Sequence, residues 1–235
     1  MAFLLNQNIL QVFSTRIYKA QHMVFKKLLV PALGLFFLGC SNQISKDTLR
    51  TGDLLFCSYE TGELSEAINK VTKTTEEKNY SHMGIIECLN YEVFVIHASI
   101  KRGVVKESIA DFLQKDQAST IAVYRLKKTF RSSIPIAIEK ANSTVGLPYN
   151  YKYLMNDSSY YCSQLVYHIF KNDSLFKLEP MTFKNPGTDK YNKGWVNYYR
   201  ELGVSIPEGE PGCNPNEMAT SDKLIFLGKY KKQTP

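Results

Sequence analysis

The first forty positions carry no acid: none of the chain's 22 Asp and Glu lies before Cys40. Long apolar runs are missing as well. The longest candidate, Leu28 to Leu38, falls well short of the roughly 20 apolar residues that cross a bilayer, which argues against a conventional transmembrane helix. The five cysteines, at 40, 57, 88, 162 and 213, form no Cys-x-x-Cys pair, so a zinc ribbon is excluded. Cys162, His82, His97 and Cys88 fit no common zinc spacing either, and neither a metal nor a cofactor is expected. No Gly-rich phosphate loop follows a strand, and there is no internal repeat or low-complexity stretch. With 44% apolar residues and 12% aromatics, the 235 residues suffice for one sizeable core rather than a disordered or fibrous chain.

What the first forty residues do contain is a basic pair, Lys26 and Lys27, then the apolar run, then Gly39-Cys40-Ser41. That is the layout of a secretory signal. Phe37-Leu38-Gly39-Cys40 resembles a bacterial lipobox, with Phe37 where Leu is usual, which would leave Cys40 as a lipidated N-terminus. Either Met1 or Met23 is compatible with this as the start. The expected organisation is a leader over 1–40, a linker over 41–50, a catalytic domain over 51–230 and a tail over 231–235. The implied location is outside the cytoplasm, lipid-anchored to a bacterial membrane, periplasmic or at the cell surface. Four of the 29 basic residues (Arg16, Lys19, Lys26, Lys27) belong to the leader, so without it the net charge falls from +7 to +3. That is weak ground for nucleic-acid binding, and none is expected. Lys229, Lys231 and Lys232 read as a solvated tail.

Hydrophobic periodicity predicts a strand at Leu54–Cys57 and a helix over Leu64–Val71. His82–Cys88 and Val93–Ala98 read as a hairpin turning at Asn90-Tyr91. Gly103–Val105 opens another strand, and Ser108 caps a helix through Leu113. A strand at Thr120–Leu126 and a helix at Ile134–Val145 follow. A helix over Tyr160–Phe170 has Asp157, Ser158 and Ser159 as candidate N-caps. Residues 171–222 are rich in Pro, Gly and Asn, with one helix at Trp195–Leu202, and Leu224–Leu227 closes the chain as a strand. Strands in series with interspersed helices indicate an α+β fold. Cys57 and Cys88 read as buried, inert thiols, and Asp53 as a turn residue.

Cys162 falls in the first turn of the Tyr160–Phe170 helix, where unpaired N–H groups and the helix dipole favour a thiolate and can hold an oxyanion. A thiol nucleophile needs a base and an orienting partner. Of four histidines, His22 is in the leader and His168 lies about 600° round the helix from Cys162. His82 starts one hairpin strand and His97 ends the other, so both arrive at one end of the sheet. Glu87, five residues after His82, falls on the opposite face. The tyrosines at 149, 151, 153, 160 and 161 predict an amphipathic groove.

Ser81-His82-Met83-Gly84-Ile85-Ile86 with Val95-Ile96-His97-Ala98 resembles the His-x-Gly-Ile and Ile-His-Ala hairpin of NlpC-type cysteine peptidases. Arg50-Thr51-Gly52-Asp53-Leu54-Leu55-Phe56, Gly146-Leu147-Pro148-Tyr149 and Cys162-Ser163-Gln164-Leu165-Val166 resemble its other motifs, with Tyr161 where Asp is usual. The histidines precede the cysteine here, as in the circularly permuted YaeF/YiiX group of papain-like amidases. The resemblance spans about residues 48–230. It implies a permuted papain-like fold, an antiparallel sheet or small barrel packed against helices that include the nucleophile helix. It further implies Cys162 as nucleophile, His82 as base and His97 as orienter, where many permuted members carry Glu. Tyr149, Tyr161 and Ser163 are the expected substrate or oxyanion contacts.

Three functions compete. The first is a cysteine amidase or peptidase acting on cell-wall peptides or related amides. The second uses the same thiol on acyl esters or lipids, as hydrolase or acyltransferase. The third is a non-catalytic lipoprotein that binds peptide or lipid.

Overall fold

The structure is a computed structural model that describes residues 43–59, 63–72, 79–116 and 118–231. The leader, Cys40 and Lys232 lie outside the described residues. Among those described are nine strands: β1 Gln43–Ile44, β2 Leu54–Ser58, β3 His82–Leu89, β4 Glu92–Ser99, β5 Gly103–Ser108, β6 Thr120–Leu126, β7 Glu179–Pro180, β8 Pro211–Gly212 and β9 Leu224–Tyr230. The helices are α1 Glu63–Thr72, α2 Ile109–Asp116, α3 Ile134–Ser143, α4 Cys162–Phe170, α5 Lys193–Leu202 and the single turn α6 Pro215–Met218.

Seven strands form one sheet in the order β1-β9-β6-β2-β3-β4-β5, and β7 pairs with β8 apart from it. Every pairing in the large sheet is antiparallel except β1 with β9. β1 and β5 are its two edges, so the sheet is open and the small-barrel alternative is not realised. β1 takes Gln43 and Ile44 out of the expected linker. β9 carries Lys229 opposite Ala122, so that lysine decorates a strand instead of a tail.

Alternation along the strands sorts the apolar residues into two layers. Leu54, Phe56, Met83, Ile85, Ile96 and Tyr124 face α3 and α4. Leu55, Cys57, Ile86, Val95 and Val123 face Ile109 and Phe112 of α2. The β3–β4 connection is a two-residue turn with positive φ at both Asn90 (49°) and Tyr91 (65°). That is the requirement of a type I′ turn, whose twist matches the strands it joins. It fixes the register so that His97 stands opposite Gly84. A Cβ on Gly84 would come within 3.0 Å of His97 Cβ, so the glycine is what lets β4 lie close here.

Asp53 anchors the middle of the sheet. It is fully buried, accepts the Arg50 N–H at 2.8 Å, and pairs with Arg125 of β6 at 2.6 and 2.7 Å. It is structural, as its turn position suggested. Cys88 departs from expectation: it lies at the solvent-exposed far end of β3, next to the hairpin turn, with its sulfur 3.7 Å from the Leu49 carbonyl oxygen. The apolar look of the strand extends past the part that the core covers. The helix expected from Tyr160 starts two residues later, at Cys162, and none of Asp157, Ser158 or Ser159 is its N-cap. The Asn156 side chain accepts the N–H groups of Ser158 and Ser159, and Tyr160 pairs with Tyr149 in an isolated β-bridge. Both hold the backbone out of the helical region. Tyr161 is the N-cap, its N–H taken by the Gln164 side chain at 3.3 Å.

Replacing Asp53 by Ala leaves a largely buried guanidinium without its carboxylate, and the stability of the domain should fall by about 3 kcal/mol. Urea unfolding followed by far-UV circular dichroism measures this; a loss under 1 kcal/mol would contradict the anchoring role.

Candidate active site

The hairpin delivers two imidazoles to the end of the sheet where β3 begins. His82 Nε2 and His97 Nδ1 are 2.9 Å apart, with the rings edge to face at 5.0 Å between centroids. His97 is buried, and its Nε2 lies 2.9 Å from Glu107 Oε1. Phe112 of α2 covers both rings, its centroid 6.4 Å from that of His82 and 5.0 Å from that of His97. Glu107 in turn is held by Arg102 through two hydrogen bonds (2.7 and 3.0 Å) and by Lys115 at 3.0 Å.

Elementary chemistry orders the protons in this chain. An ionised carboxylate only accepts hydrogen bonds. Glu107 therefore takes the Nε2–H of His97, which leaves His97 Nδ1 as an acceptor. That atom takes the Nε2–H of His82, and His82 Nδ1 is left with a free lone pair, the form a base needs. The hydrogen bond from His97 holds the Glu107 carboxyl well below the usual carboxylate range. Burial opposes this, and Arg102 and Lys115 reinforce it. Glu107 lies on β5 two residues beyond the strand expected there. It was missed because its role comes from pairing: Val95 stands opposite Glu107, and His97 opposite Val105. Strand alternation carried on from Val105 puts Glu107 on the histidine face, and that was the available signal.

Cys162 arrives from the other layer. It is the first residue of α4, which packs on β3 and β4, and its sulfur lies 4.0 Å from the carbonyl oxygen of Ser81. The thiol thus stands beside the peptide that leads into His82. As the first helical residue it sits where backbone N–H groups lack intrahelical acceptors. Glu87 does lie away from the histidines, paired with Lys106 at 2.8 Å and with Asn142 of α3. His168 is also remote from the site, between Tyr160 and Asp157.

The residues expected to meet substrate divide. Tyr149, Tyr161 and Ser163 all line one cavity with Cys162. The Tyr149 hydroxyl lies 3.3 Å from that of Tyr153, and burial pushes its pKa well above the ordinary value, with the neighbouring Cys162 adding to it. The hydroxyl therefore keeps its proton and can donate a hydrogen bond. The Tyr161 hydroxyl accepts the Cys213 N–H at 3.3 Å, and the Ser163 hydroxyl donates to the Cys213 carbonyl at 2.9 Å. Both are engaged in fastening α4 to the 213 segment. Of the other tyrosines, Tyr153 lines the cavity, whereas Tyr151 bonds the Ile100 carbonyl and Tyr160 turns toward His168. Tyr153 holds a positive φ of 58°, an uncommon state for a bulky residue, packed among Tyr161, Trp195 and Tyr198.

Residues 48–228 match the model of the peptidase C92 family, described as permuted papain-like amidase enzymes, YaeF/YiiX. The chain belongs to this family. It is therefore an enzyme of the cysteine amidase and peptidase type, and a C92 amidase acts on peptide or amide bonds. Comparison with curated proteins finds no match. Among solved structures, the crystal structure of metalloprotein yiiX from Escherichia coli O157:H7 is similar in fold, with a TM-score of 0.60 at 21% identity. The alignment covers 79% of this chain and 98% of that one. Among the described residues of this C92 member, no group of three or more His, Cys, Asp or Glu side chains is arranged to hold a metal ion. The His82, His97 and Glu107 side chains hydrogen-bond along a line instead of converging on a point.

Because its partners lower the Glu107 pKa on folding, they add stability that is complete above the ordinary carboxylate pKa of about 4.3 and is lost as pH falls below it. The wild-type melting temperature should therefore drop on acidification from pH 5 to pH 3. Glu107→Gln should be less stable by about 2 kcal/mol at pH 7 and should lose less on the same acidification. Parallel acid slopes for the two proteins in scanning calorimetry would refute this.

Proposed function

We propose that Cys162 attacks the carbonyl of an amide, with His82 as its base, His97 as orienter and Glu107 as the anchor of both rings. The observation that carries this reading is the continuous hydrogen-bonded line Glu107–His97–His82, together with the Cys162 sulfur lying 4.0 Å from the carbonyl oxygen of Ser81, the residue before His82. His82 Nδ1 takes the thiol proton as the sulfur–carbon bond forms. Backbone N–H groups at the start of α4 and the Tyr149 hydroxyl face the oxyanion. His82 then gives its proton to the leaving nitrogen as the C–N bond breaks, which leaves a thioester. Water attacks the thioester and yields a proton to His82, and the carboxylic acid departs as the thiol recovers its proton. One water is consumed per amide, and an acid and an amine are released.

Export with lipid attachment at Cys40 would put this chemistry at a bacterial membrane, within reach of cell-wall peptides and related amides. A second reading, in which the thiol acts on acyl substrates, is favoured by one specific feature: the cavity beside Cys162 is mainly apolar.

Cys162→Ala should reduce amide hydrolysis to the uncatalysed background, and His82→Ala should lower kcat on the order of a thousandfold. At pH 7 iodoacetamide should label Cys162 faster than a free thiol of pKa about 8.5. Full activity in Cys162→Ala, or labelling no faster than the free thiol, would overturn the mechanism. In cells, Cys40→Ser should abolish incorporation of an alkynyl palmitate into the chain.

A further inference from the structure

Tyr149, which shares the wall of one cavity with Cys162, lies in the connection 144–161 between α3 and α4. Backbone bonds hold both ends of this loop. Val104 of β5 donates its N–H to the Leu147 carbonyl and takes the Gly146 N–H, each at 2.8 Å. Tyr160 donates to the Pro148 carbonyl at 3.1 Å and takes the Asn150 N–H at 3.2 Å. The stretch between is held by a side chain of the nucleophile helix. Gln164, fully buried two residues beyond Cys162, accepts the Tyr161 N–H at 3.3 Å and a hydrogen of Asn150 Nδ2 at 2.9 Å on its Oε1. Its Nε2 donates to the Asn156 carbonyl at 2.7 Å. Asn150 is buried too, and its Nδ2 also donates to the Leu154 carbonyl at 2.6 Å, while its own carbonyl takes the Tyr153 N–H at 3.4 Å. These bonds close a turn in which Tyr153 keeps its φ of 58°, a state that persists in a bulky residue only where the surroundings enforce it. The turn sets the Tyr153 hydroxyl 3.3 Å from that of Tyr149.

We infer that Gln164 is a positioning residue for the hydrolysis: acting through Asn150, its amide holds the Tyr149 hydroxyl at the place where the oxyanion forms beside the Cys162 sulfur. Three arguments carry this. Packing of α4 does not ask for an amide at a fully buried position, since an apolar side chain of the same length fills the space and leaves no polar atom to satisfy. The Gln164 oxygen has two lone pairs, and both are occupied, one by the N-cap of the helix that bears the thiol and one by the loop that bears Tyr149. One atom thus ties the nucleophile and the hydroxyl to a common reference. A donor aimed at a developing oxyanion must be held to about 0.5 Å, which a loop achieves only when it is fixed to the element that carries the nucleophile. The effect on turnover rests on the thiol mechanism above; the fastening of the loop does not.

A double-mutant cycle in the full chain tests this, with N-acetyl-L-alanine p-nitroanilide as the amide. Tyr149→Phe removes the donor and should lower kcat about a hundredfold. Gln164→Met keeps the length, loses the amide, and should lower kcat about tenfold at an unchanged KM. In the Tyr149→Phe background the same substitution should cost less than about twofold, because the hydroxyl it positions is already gone. Gln164→Glu keeps an oxygen for Tyr161 and Asn150 and should recover most of the loss. Asn150→Ala leaves the Gln164 bonds to Tyr161 and Asn156 in place and should reproduce Gln164→Met; should Gln164→Met not fold, it carries the same cycle. Two readouts need no turnover. In Gln164→Met, amide hydrogen exchange across residues 147–160 should quicken about tenfold. Iodoacetamide should still label its Cys162 within about twofold of the wild-type rate at pH 7, because the thiol and the histidines are untouched. An additive cycle, equal losses in Gln164→Met and Gln164→Glu, or labelling that falls in step with kcat would overturn the proposal, since each makes Gln164 a prop for α4 and not a positioner of Tyr149. Faster exchange where the wild type shows no Cys162-dependent hydrolysis supports the fastening and overturns the thiol mechanism; Cys162-dependent hydrolysis with an additive cycle and unchanged exchange does the reverse.

Discussion

The carboxylate of Glu107 can only accept hydrogen bonds, and that restriction propagates along the whole β-ribbon. It settles which nitrogen of His97 carries a proton, and His97 in turn settles the same question for His82. Much of the local architecture serves this one line. Gly84 gives the His97 strand its close approach, and Phe112 closes the rings off from solvent on one side. The hydrogen bond from His97, reinforced by Arg102 and Lys115, keeps the carboxylate ionised despite its burial. In the proposed mechanism, the orienting of the base would thus rest on β5 and α2 as much as on the hairpin. In a chain with Glu directly beside the base, the negative charge would act at first hand; here it acts through a second imidazole. A neutral His97 would orient the base without stabilising it once protonated, and Glu107 supplies the missing charge at one remove.

The site is assembled across the sheet, not within one layer. The histidines belong to the α2 face by alternation, whereas Cys162 belongs to the α4 face. The two faces approach at the start of β3, where the Cys162 sulfur lies 4.0 Å from the carbonyl oxygen of Ser81, the residue before His82. This is compatible with the permuted order of the chain. The geometry asks only that a hairpin end and a helix start share a sheet edge, and it is indifferent to which of the two is synthesised first.

What could be read from the residues was what depends on local sequence. The hairpin was legible because Asn90 and Tyr91 separate two β-branched runs by the two residues that a tight turn needs. Cys162 was legible as the opening of a helix because Leu165, Val166, Ile169 and Phe170 repeat at helical spacing. The errors arose where pairing or capping acts over a distance. Glu107 owes its importance to a cross-strand neighbour. Cys88 sits in a strand that outruns its core. Tyr160 is held extended by Tyr149, eleven positions earlier, against the local preference for helix. The hydroxyls of Ser163 and Tyr161 also bond the 213 segment, a contact with no sequence signature at all.

That last group explains why chemistry was easier to read than specificity. Cys162, His82 and His97 sit on regular elements, whose periodicities can be counted. Much of the cavity wall comes from residues 171–222, where two-residue strands and a one-turn helix leave little periodic trace. Side chains bind this segment back to the frame: Trp195 Nε1 donates to the Ala67 carbonyl, Asn216 takes the Tyr80 N–H while donating to Thr72, and Tyr199 reaches the Lys152 carbonyl. Each bond joins the irregular wall to α1, to the approach to β3 or to the Tyr149–Tyr153 loop. The same contacts that shape the cavity thus also brace the strand that bears His82. A substitution in this wall should therefore change the cavity first and reach the Glu107–His97–His82 line only through that bracing, so the shape of the cavity can vary while the line is kept.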